Sequence, residues 1–494
     1  MRRQVVAAGI AEEDFARRRN TWFAVTCLAF IPGNFWIFAA GSALVLWLSA
    51  RRDANPFALY VFVLLAVPPI DRAIPGFGVI NYVFELNYLR LLSLVILLPI
   101  AVRVRSGGWL ATDYFLLGYI ILQIVLRAPY DSATNLSRIT FQQLIDVLLP
   151  YYVASRSVRS VAALKDVLLS FVVGASVVAL VAMFETLRTW ELYARIPDLF
   201  GAEFDYRGYL RRAGSLRAVA STGQAIVLGY VLVVAAIIFG GTKEGISRSF
   251  WLLALIILLG GAAASQSRGP LVGLAIGWVG MRMLGPDGLT ATARLVVGAV
   301  VVGVGVMSTP IGPVLLEYVP FIGTIDDGSV SYRQQLFDLS LKLISGSPWF
   351  GVANFYGQLV DFGMVQGQGI VDLVNTYITV ALAYGVIALA LFIGAFASVL
   401  WPLGRLLVQR RIQSRAQHQI GAALFGALLA AMVIIATVAS ILVVPYIYWI
   451  LTGLTVSYIL ICRRAPARFS VTEDHESSAR IDRQQGRFKR GPRG

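Results

Sequence analysis

Six arginines carry the chemistry this chain could do. Arg211, Arg212 and Arg217 fall in one short polar stretch together with Arg207, Arg268 sits in the turn Ser265-Gln266-Ser267-Arg268-Gly269-Pro270, and Arg333 opens a helical stretch further on. All lie between apolar runs, at or near the edge of a membrane segment. Arginine there is costly unless something answers its charge, and it marks an ion or substrate site by default. The partner that guanidinium forks grip best is phosphate. Gly269 lets a ligand or another backbone come close, and the helix starting after the turn offers free N–H groups to an anion. Each arginine also has a plainer reading: Arg268 as a snorkelling helix-end residue, Arg333 as the charge of a surface helix, and the 207–217 group as a lipid-headgroup contact.

The elements that must position these residues are membrane helices. The chain has 494 residues, 57% of them hydrophobic, and a mean hydropathy of +0.73. Apolar runs near bilayer length recur from end to end, which predicts an all-α polytopic integral membrane protein with about 12–14 transmembrane helices. We place spans near 55–70, 89–103, 110–127, 141–154, 161–186, 219–240, 249–265, 269–285, 294–308, 373–402, 419–441 and 443–462. Residues 21–50 are interrupted by Ile31-Pro32-Gly33-Asn34 and read as two short segments forming a hairpin or as one kinked helix. If every span crosses, the basic loops all fall on one side, which is then cytoplasmic and holds both termini. The chain divides accordingly into a cytoplasmic segment 1–20, a membrane domain 21–462 and a basic, disordered tail 463–494.

This orientation puts two loops outside, 187–218 and the large 309–372 between the spans near 294–308 and 373–402. In the larger one Tyr332, Leu336, Leu339 and Leu343 recur at helical spacing, as in an amphipathic helix on the outer surface. Trp349 and Tyr356 could stack on sugar rings or belong to the interfacial aromatic belt. Asp372, just before Leu373-Val374-Asn375-Thr376-Tyr377, reads as a helix N-terminal charge or as a general base, with Asp361 a less favoured substitute and Asn375 a further polar contact. The two histidines, His418 and His475, fall on the cytoplasmic side, so no histidine base is expected outside. The net charge of +15 lies largely in the N-terminal segment, short loops and tail, where it anchors to anionic lipid, so nucleic acid is not an expected partner. There is no P-loop, dinucleotide fingerprint, HExxH or cysteine cluster. No metal or cofactor is expected, and chemistry on the outer face must draw on an activated substrate.

In order, the motifs resemble those of the O-antigen ligase/polymerase superfamily, which includes Wzy-type O-antigen and exopolysaccharide polymerases. They are Arg212-Ala213-Gly214-Ser215 followed by Gly223, Ser267-Arg268-Gly269 before an apolar span, and Arg333 about fifteen residues before Pro348-Trp349-Phe350-Gly351-Val352. The last is Val374-Asn375-Thr376-Tyr377 leading to Ala383-Tyr384-Gly385-Val386-Ile387. The resemblance covers roughly 200–400 by order and spacing, and the rest by topology.

That resemblance implies a GT-C-like glycosyltransferase of the bacterial inner membrane, acting on the periplasmic face without metal or nucleotide. Its substrate would be an undecaprenyl-diphosphate-linked oligosaccharide and its product a growing polysaccharide, with chain-length regulator and export proteins as further partners. Arg268, Arg211, Arg212 and Arg217 would stabilise the diphosphate leaving group, Arg333 would hold further diphosphate oxygens or the acceptor glycan, and Asp372 would take the acceptor proton. Where ligases of the family carry a histidine before Asn the chain has Val374, and where the family often has Glu it has Tyr384, which favours a polymerase over a ligase. A flippase or transporter is the rival from another class. It would line a central cavity with charge, whereas most spans here are nearly charge-free in their middles. A membrane scaffold leaves the arginine placement without a reason.

Overall fold

The computed structural model describes residues 9–76, 81–104, 108–202, 211–212, 215–286, 327–365, 373–409 and 414–464, with scattered single positions between them. The described chain is mostly helical, and its strands form two small antiparallel hairpins, β1 (Arg72–Pro75) with β2 (Tyr82–Leu86) and β3 (Arg211–Arg212) with β4 (Ser215–Leu216).

The interrupted stretch 21–50 is a hairpin of two full helices, α1 (Glu12–Phe30) and α2 (Phe35–Arg52). Gly33 takes a positive φ of 57° in the turn, and the Asn34 side chain caps α2 by accepting from the Trp36 N–H at 2.8 Å. Helix α1 starts at Glu12, inside the segment read as a cytoplasmic terminus. Helix α3 (Pro56–Val63) is short because Pro68 and Pro69 lie within the same apolar run and cannot continue it. Two later helices each run on through a widened turn: α4 through Tyr88–Leu92, Ser93–Leu97 and Leu98–Arg103, and α6 through Ala133–Gln143, Leu144–Leu148 and Leu149–Ser157. In both, the π-helical turn directly precedes the turn holding Pro99 or Pro150. A proline has no N–H for the ladder and crowds the carbonyl four residues back, and the extra residue in the turn relieves this inside an apolar layer. Between them lies α5 (Ala111–Arg127).

The remaining helices are α7 (Val161–Arg188), α8 (Ala225–Gly241), α9 (Arg248–Ala264), α10 (Arg268–Met283), α11 (Asp327–Gly346), α12 (Phe355–Asp361), α13 (Thr376–Val408), α14 (Arg415–Ile434) and α15 (Val444–Arg464). Among the described residues four of them, α7, α13, α14 and α15, are long and apolar enough to cross a membrane, and α8 and α9 are apolar but shorter. Helix α8 is apolar all round, and Val227–Phe239 is buried throughout, as expected of a helix surrounded by others. Helices α10 and α14 meet through a stripe of small residues. Gly269, Gly273 and Gly277, four apart, face Thr437, Ile434 and Ala430, and a side chain at any of them would collide.

Contacts between helix ends show which ends share a side. Phe30 meets Tyr193 at 5.7 Å and Phe35 meets Phe200 at 5.5 Å between ring centroids. Ala218 N–H donates to Ala264 O at 3.1 Å, and Thr376 N–H donates to Ile435 O at 2.9 Å. The ends of α1, α7, α9 and α14 and the starts of α2, α8, α10 and α13 therefore lie together, here called the site end. At the far end Arg18 is 1% exposed, with Asp53 at 2.7 Å and Asp166 at 2.6 Å. It is thus an interior ion pair and not the lipid anchor that its run of three arginines suggests.

Candidate functional site

The Ser-Arg-Gly turn is built from the end of α9. Gln266 sits at φ +48°, a left-handed conformation that turns the chain sharply between α9 and α10. Arg268 becomes the first residue of α10 after an extended Ser267 and is half-buried. The loop that follows α7 is stitched onto this turn. Arg217 donates from Nε to the Ser265 carbonyl at 3.3 Å and from a terminal nitrogen to the Ser267 hydroxyl at 3.1 Å. Gln266 donates to the Ser215 hydroxyl at 2.6 Å. The sequence separates Arg217 from Arg268 by a whole helical hairpin; the structure puts them on adjoining strands of backbone.

Arg211 and Arg212 belong to the same construction. Their backbone pairs with the strand that leads into Arg217, Arg211 opposite Leu216 and Arg212 opposite Ser215. The start of α13 closes the other side. Gly269 packs on Thr437, and Thr376 bonds to the same stretch through its hydroxyl to Val438 O at 2.7 Å. Asn375 spends its side-chain oxygen on capping α13, accepting from Ile378 N–H at 3.1 Å; it is first of all a helix cap. Asp372 lies outside the described residues.

The other expected residues sit on a cap over α13. Tyr332, Leu336, Leu339 and Leu343 do form the apolar face of α11, and they pack with Leu359, Val371, Leu382 and Ile378 into a small second core. Arg333 is on the exposed face of that helix, and no described contact joins it to Arg268. Asp361 ends α12 and is exposed. Tyr356 is 46% exposed, and its hydroxyl accepts from Val371 N–H at 3.3 Å. Trp349 is 63% exposed, and its backbone does something the spacing did not show. Helix α13 is broken at Gly385, φ +77°, and the loop Pro348–Val352 plugs the gap. Val352 N–H donates to Leu382 O at 2.7 Å, and Val386 N–H to Pro348 O at 2.8 Å. The two glycine motifs, Gly351 and Gly385, are thus one joint, with both residues at positive φ and no room for a Cβ at either. Backbone groups freed inside the helix are answered by the loop, as a membrane setting requires.

Two acids went unread in the sequence. Glu185, near the end of α7 and fully buried, accepts from Leu192 N–H at 3.0 Å, Val219 N–H at 3.1 Å and Ala220 N–H at 2.8 Å. Its carboxylate ties both sides of the loop that carries Arg217 to the helix end. An ionisable residue inside a long apolar helix was the available signal. Glu191, in the loop beyond α7, is 2% exposed, and among the described residues its Oε2 has no hydrogen-bond partner. Burial first, and the neighbouring Glu185 second, push its carboxyl from the ordinary value near 4.5 up to about 7. Arg90, also toward the site end, is answered by Asp146 at 3.0 Å and Asp71 at 3.2 Å.

These features define a multi-pass helical membrane protein in which a loop arginine is hydrogen-bonded to the turn that leads into Arg268, at one end of a tightly packed helix group. Residues 253–393 match the family model described as O-Antigen ligase. The superfamily resemblance carried by Ser267-Arg268-Gly269, Arg333, Pro348–Val352 and Asn375–Tyr384 therefore holds over the stretch containing those motifs. Arg211, Arg212 and Arg217 precede that stretch. Comparison with curated proteins gives no match.

Proposed function

We propose that the chain is a glycosyltransferase of the inner membrane that joins polyprenyl-diphosphate-linked oligosaccharide repeat units at its site end, facing the periplasm, with both termini cytoplasmic. The observation that carries this reading is the stitching of Arg217 onto the turn that opens with Ser265 and ends at Arg268. Breaking the sugar–phosphate bond leaves a diphosphate whose charge grows in the transition state. Cations already held in place, in a site only partly open to water, stabilise that charge without reorganising. Only contacts that strengthen as the bond breaks raise turnover. Arg268 and Arg217, with Arg211 and Arg212 alongside, are assigned to the leaving diphosphate. Arg333, on the exposed face of the cap, is assigned to the incoming glycan, and Asp372 to the acceptor hydroxyl proton. No metal is assigned a part.

Transfer of the same lipid-linked glycan to a different acceptor is the second reading, favoured by the description of the matching family as a ligase. Val374 in place of a histidine before Asn375 supports the polymerase.

The test is turnover of a lipid-linked repeat unit by purified protein. Arg268→Ala should lower it about a hundred- to thousandfold, and Arg268→Lys should recover little, because an ammonium lacks the bidentate fork. Wild-type product from Arg268→Ala at equal abundance would overturn the assignment. Sidedness is tested separately in a Cys27→Ser background, since Cys27 is exposed. An impermeant thiol reagent should label Ser329→Cys but not Ser414→Cys in spheroplasts, and the reverse would overturn periplasmic chemistry.

A further inference from the structure

The far ends of α8, α10 and α14 border a half-open cavity of about 50 Å³, with Lys243, Arg282 and Gln419 among glycines and Met281 on its wall. It is at the opposite end of α10 from Arg268. Arg282 lies in the last turn of α10, where the helix dipole favours a cation whatever it binds. The dipole does not account for the space beside it, or for its hydrogen bonding. The guanidinium sits 5.8 Å from the Trp278 ring centroid, and among the described residues its buried Nε has no hydrogen-bond partner. The other inward-turned arginines at this end are answered differently: Arg18 by Asp53 and Asp166, and Arg156 by Asp113. Among the described residues no carboxylate is on the wall of this cavity. Two cations, one held against an indole and one on an exposed loop, face a space with roughly the room of a few waters.

We propose that this cavity binds a phosphate group, carried by an anionic lipid headgroup of the adjoining leaflet or present as the free ion. Arg282 supplies the planar fork and Lys243 a point charge, the pairing that basic pockets between membrane helices use for headgroups. Gly240 and Gly241 let α8 approach Trp278 and Met281 of α10 and the Gln419 backbone of α14, where a Cβ would press on them.

The full chain in detergent is titrated with phosphatidylglycerol, phosphatidylcholine or inorganic phosphate, and bound species are read by native mass spectrometry and thermal shift. The wild type should hold phosphatidylglycerol in preference to phosphatidylcholine. Arg282→Gln and Lys243→Ala should each weaken that binding about fivefold, the share of one basic group near a charged headgroup. Lys243 is exposed, so its variant reports even if Arg282→Gln folds poorly. Arg405→Ala, a basic residue of the same end that stacks on Trp401 at 4.6 Å and is not on the cavity wall, should leave binding unchanged. A thermal shift with inorganic phosphate alone, lost in Lys243→Ala, identifies the free ion as the occupant. Equal phosphatidylglycerol binding by the wild type and both cavity variants overturns the site and leaves only diffuse attraction to the leaflet.

Discussion

Arg18 and Arg217 are both withdrawn from water, and they differ in what their described contacts are: Arg18 is closed off by carboxylates, whereas Arg217 bonds to neutral oxygens of the turn. Arg18 is 1% exposed and uses its whole fork within the protein: Asp53 at 2.9 and 2.7 Å, Asp166 at 2.6 Å and Ser170 at 2.9 Å. Arg217 is half-buried and hydrogen-bonds to a carbonyl and a hydroxyl of the Ser265–Ser267 turn. A buried guanidinium held by carboxylates fixes the packing of α1 against α7. One held by neutral oxygens at a partly open turn is oriented without being neutralised by them. Arginine content alone therefore does not locate a site in a membrane protein; the acceptor type and the remaining exposure do.

Breaking the closed arginine should have the largest effect. Arg18→Ala strands Asp53 and Asp166 and should cost about 3–5 kcal/mol of stability, seen as a large fall in thermal midpoint and in membrane abundance. The protein that does fold should turn over donor at the wild-type rate. Next comes Glu185→Gln. The amide keeps one acceptor oxygen but presents N–H to N–H on its other side, costing about 1–3 kcal/mol. Because the loop it ties carries Arg217, turnover should fall by more than the loss of stability explains. An unchanged turnover number would separate Glu185 from the arginine site.

Gly385→Ala tests the cap joint. At φ +77°, with the Trp349 carbonyl against the missing Cβ, the substitution should cost about 1–3 kcal/mol. It should also raise protease sensitivity in the cap more than in the arginine turn. The last test reads the shape of a pH profile and not a loss of stability at one pH. The Glu191 carboxyl has a folded value near 7 against about 4.5 when unfolded, so the folded state holds its proton longer. Its contribution is present in full below about pH 4.5 and is lost as pH rises through 7. Glu191→Gln should flatten that part of the thermal-midpoint profile; a profile of unchanged shape would exclude the burial assigned to it.

The sequence carried the helical architecture well, because long apolar runs and their proline and glycine breaks are local signals. It also carried the apolar face of α11, since Tyr332, Leu336, Leu339 and Leu343 recur at helical spacing. What it could not carry is long-range pairing. Arg18 reads as one of three consecutive arginines, and its partners stand 35 and 148 residues away. Arg333 was legible as a helix residue, and it lies on the exposed side of α11. Gly351 and Gly385 were visible as two motifs, whereas their joint depends on backbone bonds that no spacing encodes. Glu185 was passed over because its partners are backbone N–H groups, which have no residue identity to read.

Helix length adds a further consequence. Helix α9 has 17 residues and α10 has 16, rises of about 24–26 Å, against a hydrocarbon layer of roughly 30 Å. A bilayer meeting this face must thin by several Å, or let headgroups sink toward the turn at Arg268. For the glycosyl transfer proposed above, either adjustment would shorten the path of a lipid-borne phosphate to the arginines, so membrane thickness itself would be a variable of that reaction, and reconstitution in longer-chain lipids should slow it without any change in the protein.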